Sequence, residues 1–295
     1  MTIFETRQVD GPNNVGLFAS EDILKDEVIF REAPFYSFGM EKIVDYMVKK
    51  NPTGDPVLDK EIRKLQLSLM HANRKHVSQG LSFSEEYPAE SRVLLDRLQE
   101  IITENGFQSE SKEVQEKWMA LHDAHQNIRK DTPVGIFGLN SDKGKEINGA
   151  IAQCLGFDES KKRYIVEYTK TSSKVPEKLL LKKENLKTVS GIVRSNIYQE
   201  GLFEKRCRIN HSCKGNTKTC TISEYNKLLG KNLIASHSNE CITIAREDIK
   251  AGIELTCSYL CKGAGKKLEV RREELHEKYK FLCKCDTCVE EENEE

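Results

Sequence analysis

The amino-acid sequence predicts an α+β fold in which strand-rich regions lie on either side of a helical one. Val15–Ala19 and Glu27–Phe30 are short apolar stretches, typical of a pair of β-strands. From about residue 40 to residue 130, apolar residues recur every three or four positions, as on one face of a helix. Between about 137 and 189, short apolar stretches and polar turns predict strands again.

Composition and charge limit the classes of function. The 46 basic and 47 acidic residues leave a formal charge of −1, so we expect neither direct nucleic-acid binding nor binding to a membrane surface. A run of about 18 uncharged apolar residues, as needed to span a membrane, does not occur. The first residues lack the apolar run of a secretory signal, so the sequence predicts an intracellular protein, nuclear or cytoplasmic.

The helical region is predicted from three apolar patterns. The first contains Leu58, Ile62, Leu65 and Leu69; the second runs from Pro88 to Asn105; the third contains Val114, Trp118 and Leu121. Helices packing onto a core explain all three. His122 and His125, spaced one helical turn apart beside Asp123, resemble a metal site. Because no further ligand lies nearby, an ordinary helix face is the favoured interpretation.

Residues 137–189 are predicted to form a small β-barrel of the Tudor kind. Gly149–Gly156 and Arg163–Tyr168 flank the polar turn Asp158–Lys162, and Lys178–Lys182 follows. About 50 residues of short strands with tight turns are typical of such a barrel.

The cysteines indicate a metal site near the C-terminus. The first 153 residues contain none, whereas Cys283, Cys285 and Cys288 lie within six residues of one another. Three converging thiols predict a tetrahedral zinc site with one more ligand. Spacing does not identify that ligand, since the following cysteines are all available: Cys207, Cys213, Cys220, Cys241, Cys257 and Cys261. The acidic tail, Glu290–Glu295, is predicted to be solvated and disordered.

Two other motifs do not identify a function when each is considered alone. Asn210–Cys213 (Asn-His-Ser-Cys) reads as a turn whose polar side chains cap backbone groups, and nothing local makes His211 a ligand or a base. Tyr259 ends an apolar stretch and reads as a strand tyrosine whose hydroxyl meets water.

Taken together and in order, these motifs resemble the SET domain of protein lysine methyltransferases. Val15–Ala19 resembles its opening strand, Asn210–Cys213 with Asn216 its Asn-His-Ser-Cys-x-x-Asn motif, and Glu254–Tyr259 the strand before its catalytic tyrosine. Tyr279–Cys285 resembles the post-SET segment. The opening motif has Asn14 where glycine is usual, and Lys214-Gly215 stands where Asp-Pro is common.

The layout is similar to that of the SET-and-MYND subfamily, without its MYND zinc finger or its C-terminal helical repeats. The resemblance implies a fold of small β-sheets with a pseudoknot, a helical insertion and an inserted barrel. The expected divisions are an N-terminal SET part (1–40), a helical insertion (41–136), a barrel (137–189), a catalytic SET part (190–262), and a zinc-binding post-SET segment with an acidic tail (263–295).

The resemblance also implies two cofactors, S-adenosylmethionine and a structural zinc. The residues implied to contact S-adenosylmethionine are Asn14, Val15, Gly16, Leu17, Asn196, Asn210, His211, Tyr259 and Phe281. Asn14–Leu17 and His211 are expected to act through backbone groups, Asn196 and Asn210 at the methionine end, and Phe281 beside the adenine and the lysine channel. Zinc would be held by Cys213, Cys283, Cys285 and Cys288.

Tyr259 is the implied catalytic residue, and the expected reaction is methyl transfer to a neutral lysine amine. The expected partner is a protein with an exposed lysine, histones being one such class. Two alternatives stay open: a catalytically silent SET protein that binds other proteins, and a zinc-stapled interaction scaffold. Binding of S-adenosylmethionine distinguishes the scaffold from the other two. The sequence predicts neither the target lysine, nor the degree of methylation, nor the oligomeric state.

Overall fold

The computed structural model describes residues 3–9, 14–37, 56, 59–60, 63, 103–104, 106–108, 110–169, 175–196, 198, 201–237, 239–260 and 266–294. The chain divides into two compact units, one made of residues 1–37 and 112–295 and the other of residues 38–111. The helices predicted around Leu58 to Leu69 and between Pro88 and Asn105 lie almost entirely outside the described residues.

The strands of the first unit are β1 (Phe4–Gln8), β2 (Val15–Ala19), β3 (Val28–Glu32), β4 (Pro133–Ile136), β5 (Ile151–Asp158), β6 (Arg163–Thr169), β7 (Pro176–Leu181), β8 (Leu186–Thr188), β9 (Asn210–His211), β10 (Thr217–Thr221), β11 (Cys241–Ala245) and β12 (Glu254–Cys257). Its helices are α1 (Lys112–Met119), α2 (Asp142–Lys145), α3 (Val189–Asn196), α4 (Ile222–Leu229), α5 (Leu268–Tyr279) and α6 (Asp286–Glu294). None of the helices in the described part of the chain is long and apolar enough to cross a membrane. This mixture confirms the α+β class.

Two small sheets combine the beginning of the chain with its C-terminal part. The first has the strand order β1-β2-β12-β9, in which β12 and β9 run parallel, and the second has the order β10-β11-β3. Leu17, Ile29, Ile249 and Leu255 belong to one buried cluster. Burial of each such side chain stabilises the fold by about 2 kcal/mol.

The predicted pairing of β2 with β3 is wrong, although both are strands. β2 pairs with β1 and β12, whereas β3 pairs with β11. Between them, Ile23 forms a bridge with Ile249, and Asp26 adopts a left-handed conformation, with φ of 65°. The connecting segment is therefore tied to the C-terminal half of the chain, and β2 and β3 are carried into different sheets.

The inserted segment forms a five-stranded antiparallel sheet in the order β7-β6-β5-β4-β8. The predicted hairpin around Asp158–Lys162 is confirmed, because β5 pairs with β6. The sheet begins at β4, inside the predicted helical insertion (41–136), since a run of four residues is too short for periodicity to assign. Closure into a barrel stays a prediction, because among the described residues the edge strands β7 and β8 do not pair.

The helix predicted through Val114 and Trp118 is α1, which ends at Met119. The expectation that His122 and His125 share a helix face is therefore wrong. The carboxylate of Asp123 instead accepts hydrogen bonds from the backbone N–H groups of His125, Gln126 and Thr188. The Asp123 carboxylate therefore organises a loop.

The disorder predicted for the acidic tail, Glu290–Glu295, is wrong for Glu290–Glu294, because α6 extends to Glu294. Glu291 pairs with Arg271 at 2.9 Å and Glu292 with Arg272 at 2.8 Å, both arginines lying on α5. A charge run is expected to be disordered when its charges have no partners. Here the partners lie 20 residues earlier in the chain.

Candidate active site and metal centre

The C-terminal thiols converge with Cys213, which lies two residues after the end of β9. Its sulfur lies 3.4 Å from that of Cys288 and 4.0 Å from that of Cys283. Together with Cys285, all four sulfurs lie within 4.8 Å of one another. Sulfurs placed about 2.3 Å from a tetrahedral zinc are separated by about 3.8 Å. The cluster could therefore hold a metal ion, with Cys213 as a fourth sulfur beside the three of the C-terminal segment.

The ionisation of these thiols is governed by burial and by hydrogen bonds within the cluster. Burial raises the pKa of Cys213 to about 12 and also raises the pKa of Cys283. Cys285 is subject to burial too, yet hydrogen bonds from the backbone N–H groups of Cys213 and Cys288 lower its pKa to about 7. Four neighbouring thiols cannot all ionise without a compensating charge, which a metal ion bound among them would provide.

Tyr259 is held at both ends by segments around β9. Its backbone N–H donates to Nδ1 of His211 at 3.0 Å, and its hydroxyl donates to the carbonyl of Ile209 at 2.7 Å. Its ring packs against Tyr279, with centroids 4.8 Å apart, and against Phe281. Burial raises the pKa of Tyr259 well above the ordinary value, so the side chain is a neutral phenol at physiological pH.

His211 lies between Tyr259 and the cysteine cluster. Its Nε2 is 3.5 Å from the sulfur of Cys213, and its ring lies 5.9 Å from that of Phe281. Burial, assisted by the positive charge of Arg271, lowers the pKa of His211 to about 4. The imidazole is therefore neutral, and both of its nitrogens are in polar contacts.

The opening motif and the Asn210 motif meet at Glu254. The side-chain amide of Asn210 donates to the Glu254 carboxylate at 2.7 Å. A Cβ atom at Gly16 would overlap that carboxylate and lie 3.1 Å from Asn210 Nδ2. Any side chain at position 16 would require the Glu254 carboxylate to move away from Asn210. Backbone and amide groups expected to contact a cofactor are thus brought side by side.

The sequence pattern that defines the SET domain matches residues 14–260, which is most of the chain. The chain belongs to the SET domain family. A protein of Vanderwaltozyma polyspora named "Histone-lysine N-methyltransferase SET5" is 35% identical over 105 residues, 35% of this chain and 18% of that protein. Its namesake in Meyerozyma guilliermondii is 30% identical over 111 residues, 38% of this chain and 20% of that protein. The matches thus span about a fifth of these relatives.

Within this SET domain, Asn196 is held in place through its side-chain amide nitrogen. It lies at the end of α3, where its amide nitrogen donates to the carbonyls of His122 at 2.6 Å and Ile192 at 2.7 Å. Both hydrogens of the amide are used in this way. Its Oδ1 is the side-chain atom left to accept a hydrogen bond, as from an ammonium group.

Gly215 occupies the position where the SET pattern commonly has proline. A Cβ at Gly215 would lie 2.5 Å from Cys257 Cα. The next residue, Asn216, donates to the Glu254 carbonyl and accepts from the backbone N–H of Thr256. The chain therefore crosses β12 tightly at this point, and Cys213 keeps its place in the cluster.

Sequence reasoning assigned no role to three residues of the site. The first is Glu254, which orients Asn210. The other two are Tyr198 and Arg206, and the guanidinium carbon of Arg206 lies 3.7 Å from the centre of the Tyr198 ring. Burial raises the pKa of Tyr198 far above the ordinary value. Glu254 lies within the motif that ends at Tyr259, and this position is the sequence signal that could have placed it in the site. No local pattern distinguishes Tyr198 or Arg206.

Proposed function

We propose that this SET domain transfers methyl groups from S-adenosylmethionine to a lysine side chain of a protein substrate. The observation that carries the proposal is the convergence of Tyr259, Asn210 and Gly16 on one region, through contacts at His211 and Glu254. Family membership and the names of the two yeast relatives support the same chemistry.

The residues present fit this cofactor. Gly16 allows a close approach to the backbone of Asn14–Leu17, Asn210 presents an amide, and the aromatic ring of Phe281 offers a surface for adenine. Asn196 would accept from the amino group of the methionine end through Oδ1. When bound, the cofactor supplies a methyl group already activated by a sulfonium.

Tyr259 would align the reaction as a neutral phenol. Because its hydroxyl donates to Ile209, its remaining lone pairs are free to accept from the incoming amine or to face the positively polarised methyl group. Its raised pKa argues against a role as general base. The lysine must therefore arrive neutral, and Tyr279 and Phe281 would form aromatic walls that favour the uncharged amine.

Zinc is proposed as the metal of the cysteine cluster, because four thiolates match its preference for tetrahedral sulfur ligation. With four protein ligands it would have no open position for catalysis. Its role would be structural: it would attach the segment containing Phe281 to the motif containing His211 and Cys213.

Histones are proposed as one substrate class on the strength of the relatives' names alone. We also propose that the five-stranded sheet closes into a barrel that contributes to substrate choice, and that the chain resembles the SET-and-MYND layout. Calorimetric titration with S-adenosylmethionine, followed by methylation of histones and of a cell extract read by mass spectrometry, tests the function. Binding of cofactor without transfer to any protein would favour the silent alternative, and absence of binding would favour the scaffold.

A further inference from the structure

The imidazole of His211 joins the cysteine cluster to Tyr259. Nδ1 lies 3.0 Å from the backbone nitrogen of Tyr259, and Nε2 lies 3.5 Å from the sulfur of Cys213. The ring is also packed between aromatic side chains, with its centroid 5.3 Å from that of Tyr259 and 5.9 Å from that of Phe281. One nitrogen of the His211 ring therefore faces Tyr259, and the other faces the cysteine cluster.

The chemistry of the two contacts determines where the proton lies. A backbone N–H can only donate, so Nδ1 must be the unprotonated nitrogen of the ring. The proton of the neutral imidazole is then on Nε2, which faces Cys213. A metal-bound thiolate is a good acceptor, and ligand atoms of metal sites are commonly oriented by such donors.

The main chain at Tyr259 depends on this contact. β12 ends at Cys257, and its parallel pairing with β9 covers only Thr256 and Cys257, after which Ser212 N–H donates to the Cys257 carbonyl. Tyr259 lies beyond that ladder. Its N–H therefore has a side chain, His211, as its acceptor instead of a strand neighbour.

We propose that His211 is a positioning residue that links the metal-bound sulfur of Cys213 to the backbone of Tyr259. The metal would thereby hold Tyr259 in place, in addition to attaching the C-terminal segment. The importance of Tyr259 rests on the proposed function, whereas the link rests only on the contacts of His211.

The direct test is the tautomer of His211 in zinc-loaded protein at neutral pH, read from long-range ¹H–¹⁵N correlation spectra. We expect the Nε2–H tautomer. An Nδ1–H tautomer, or a doubly protonated ring, would overturn the proposal. The measurement uses the unaltered chain and requires no methylation, so its result is independent of whether the proposed function holds.

Two variants of His211 each remove one of its two contacts and keep the other. In His211→Asn, Oδ1 can replace Nδ1 as acceptor for Tyr259, but the donor to Cys213 is lost. In His211→Gln, Nε2 can replace the donor to Cys213, but the acceptor for Tyr259 is lost. We expect His211→Asn to hold zinc about 10-fold less tightly against a chelator while the Tyr259 amide stays protected from hydrogen exchange.

His211→Gln should show the opposite behaviour, with zinc retained and the Tyr259 amide exchanging on the order of 10-fold faster. Equal losses in both variants would indicate general destabilisation and would contradict the link. Unchanged zinc retention and unchanged protection in both variants would contradict it as well.

Discussion

Glu254 accepts a hydrogen bond from the side-chain amide of Asn210 at 2.7 Å. This contact holds the amide of Asn210, whose Nδ2 also lies beside Gly16. Because β12 also pairs with β2, one carboxylate connects the opening motif of the chain with the motif that contains Asn210. The orientation of Asn210 is thus determined by a residue 44 positions later.

Removing this acceptor is expected to weaken cofactor binding. Glu254→Ala should reduce the affinity for S-adenosylmethionine about 10-fold, because the amide of Asn210 loses its partner and can rotate. Glu254→Gln keeps an acceptor oxygen and should stay within a few-fold of the parent. Isothermal titration calorimetry measures both, with the exposed Glu247→Ala as control. Equal weakening by Ala and Gln would mean that orientation of Asn210 is not the role of Glu254.

The cysteine cluster should bind one zinc per chain. Cys285→Ser is expected to release it and to loosen the C-terminal segment while much of the body stays folded, because three sulfurs hold the ion far less tightly than four. Atomic emission spectroscopy on purified protein gives the stoichiometry. Cys220→Ser, which alters a buried thiol in another cluster, is the control and should keep its zinc. Unchanged zinc content in both Cys213→Ser and Cys285→Ser would disprove the site.

Much of this site could be predicted from short-range patterns. Cys283, Cys285 and Cys288 lie within six residues, so their convergence follows from spacing, whereas Cys213 required the resemblance to a family. The errors concern contacts distant in sequence. Local pattern predicts that β2 pairs with β3, whereas its partners are β1 and β12. Local pattern also predicts disorder for the acidic tail, since the arginines of α5 that stabilise α6 lie about 20 residues earlier in the chain. The role of Glu254 was missed for the same reason.

Lys187 should make stability depend on pH in the alkaline range. This residue is 6% exposed, its ammonium donates to the carbonyls of Met119 and Leu121, and burial lowers its pKa from 10.5 to about 8. Between these values the unfolded chain binds more protons than the folded protein, so the free energy of unfolding rises with pH. Below pH 8 the folded protein bears the full cost of burying the charged ammonium. Deprotonation removes this cost by pH 10.5, which raises the free energy of unfolding by about 3 kcal/mol.

Urea unfolding at pH 7.5 and pH 10 measures this effect as the difference between the parent and Lys187→Met. The variant should lack the increment, whereas the exposed Lys182→Met should behave like the parent. An identical change in unfolding free energy in the parent and in Lys187→Met would contradict the assignment.

The rate of methyl transfer should rise with pH above neutrality. A free lysine has a pKa of about 10.4, so its deprotonation at pH 7 costs about 4–5 kcal/mol, which the site must reduce. Tyr259 does not act as a base in this range, because burial raises its pKa well above 10. Single-turnover rates between pH 6 and 9 provide the measurement. A flat profile with chemistry rate-limiting would indicate a base that this mechanism lacks.

The most direct test of the proposed function is the methylation rate of Tyr259→Phe on a substrate confirmed for the parent. The substitution keeps the ring packing against Tyr279 and removes the oxygen that would face the reacting groups. Loss of a preorganised polar group acts on the transition state, so we expect the rate to fall on the order of 10²-fold or more, with cofactor affinity within a few-fold. A rate within a few-fold of the parent would contradict the assignment of Tyr259 as the catalytic residue.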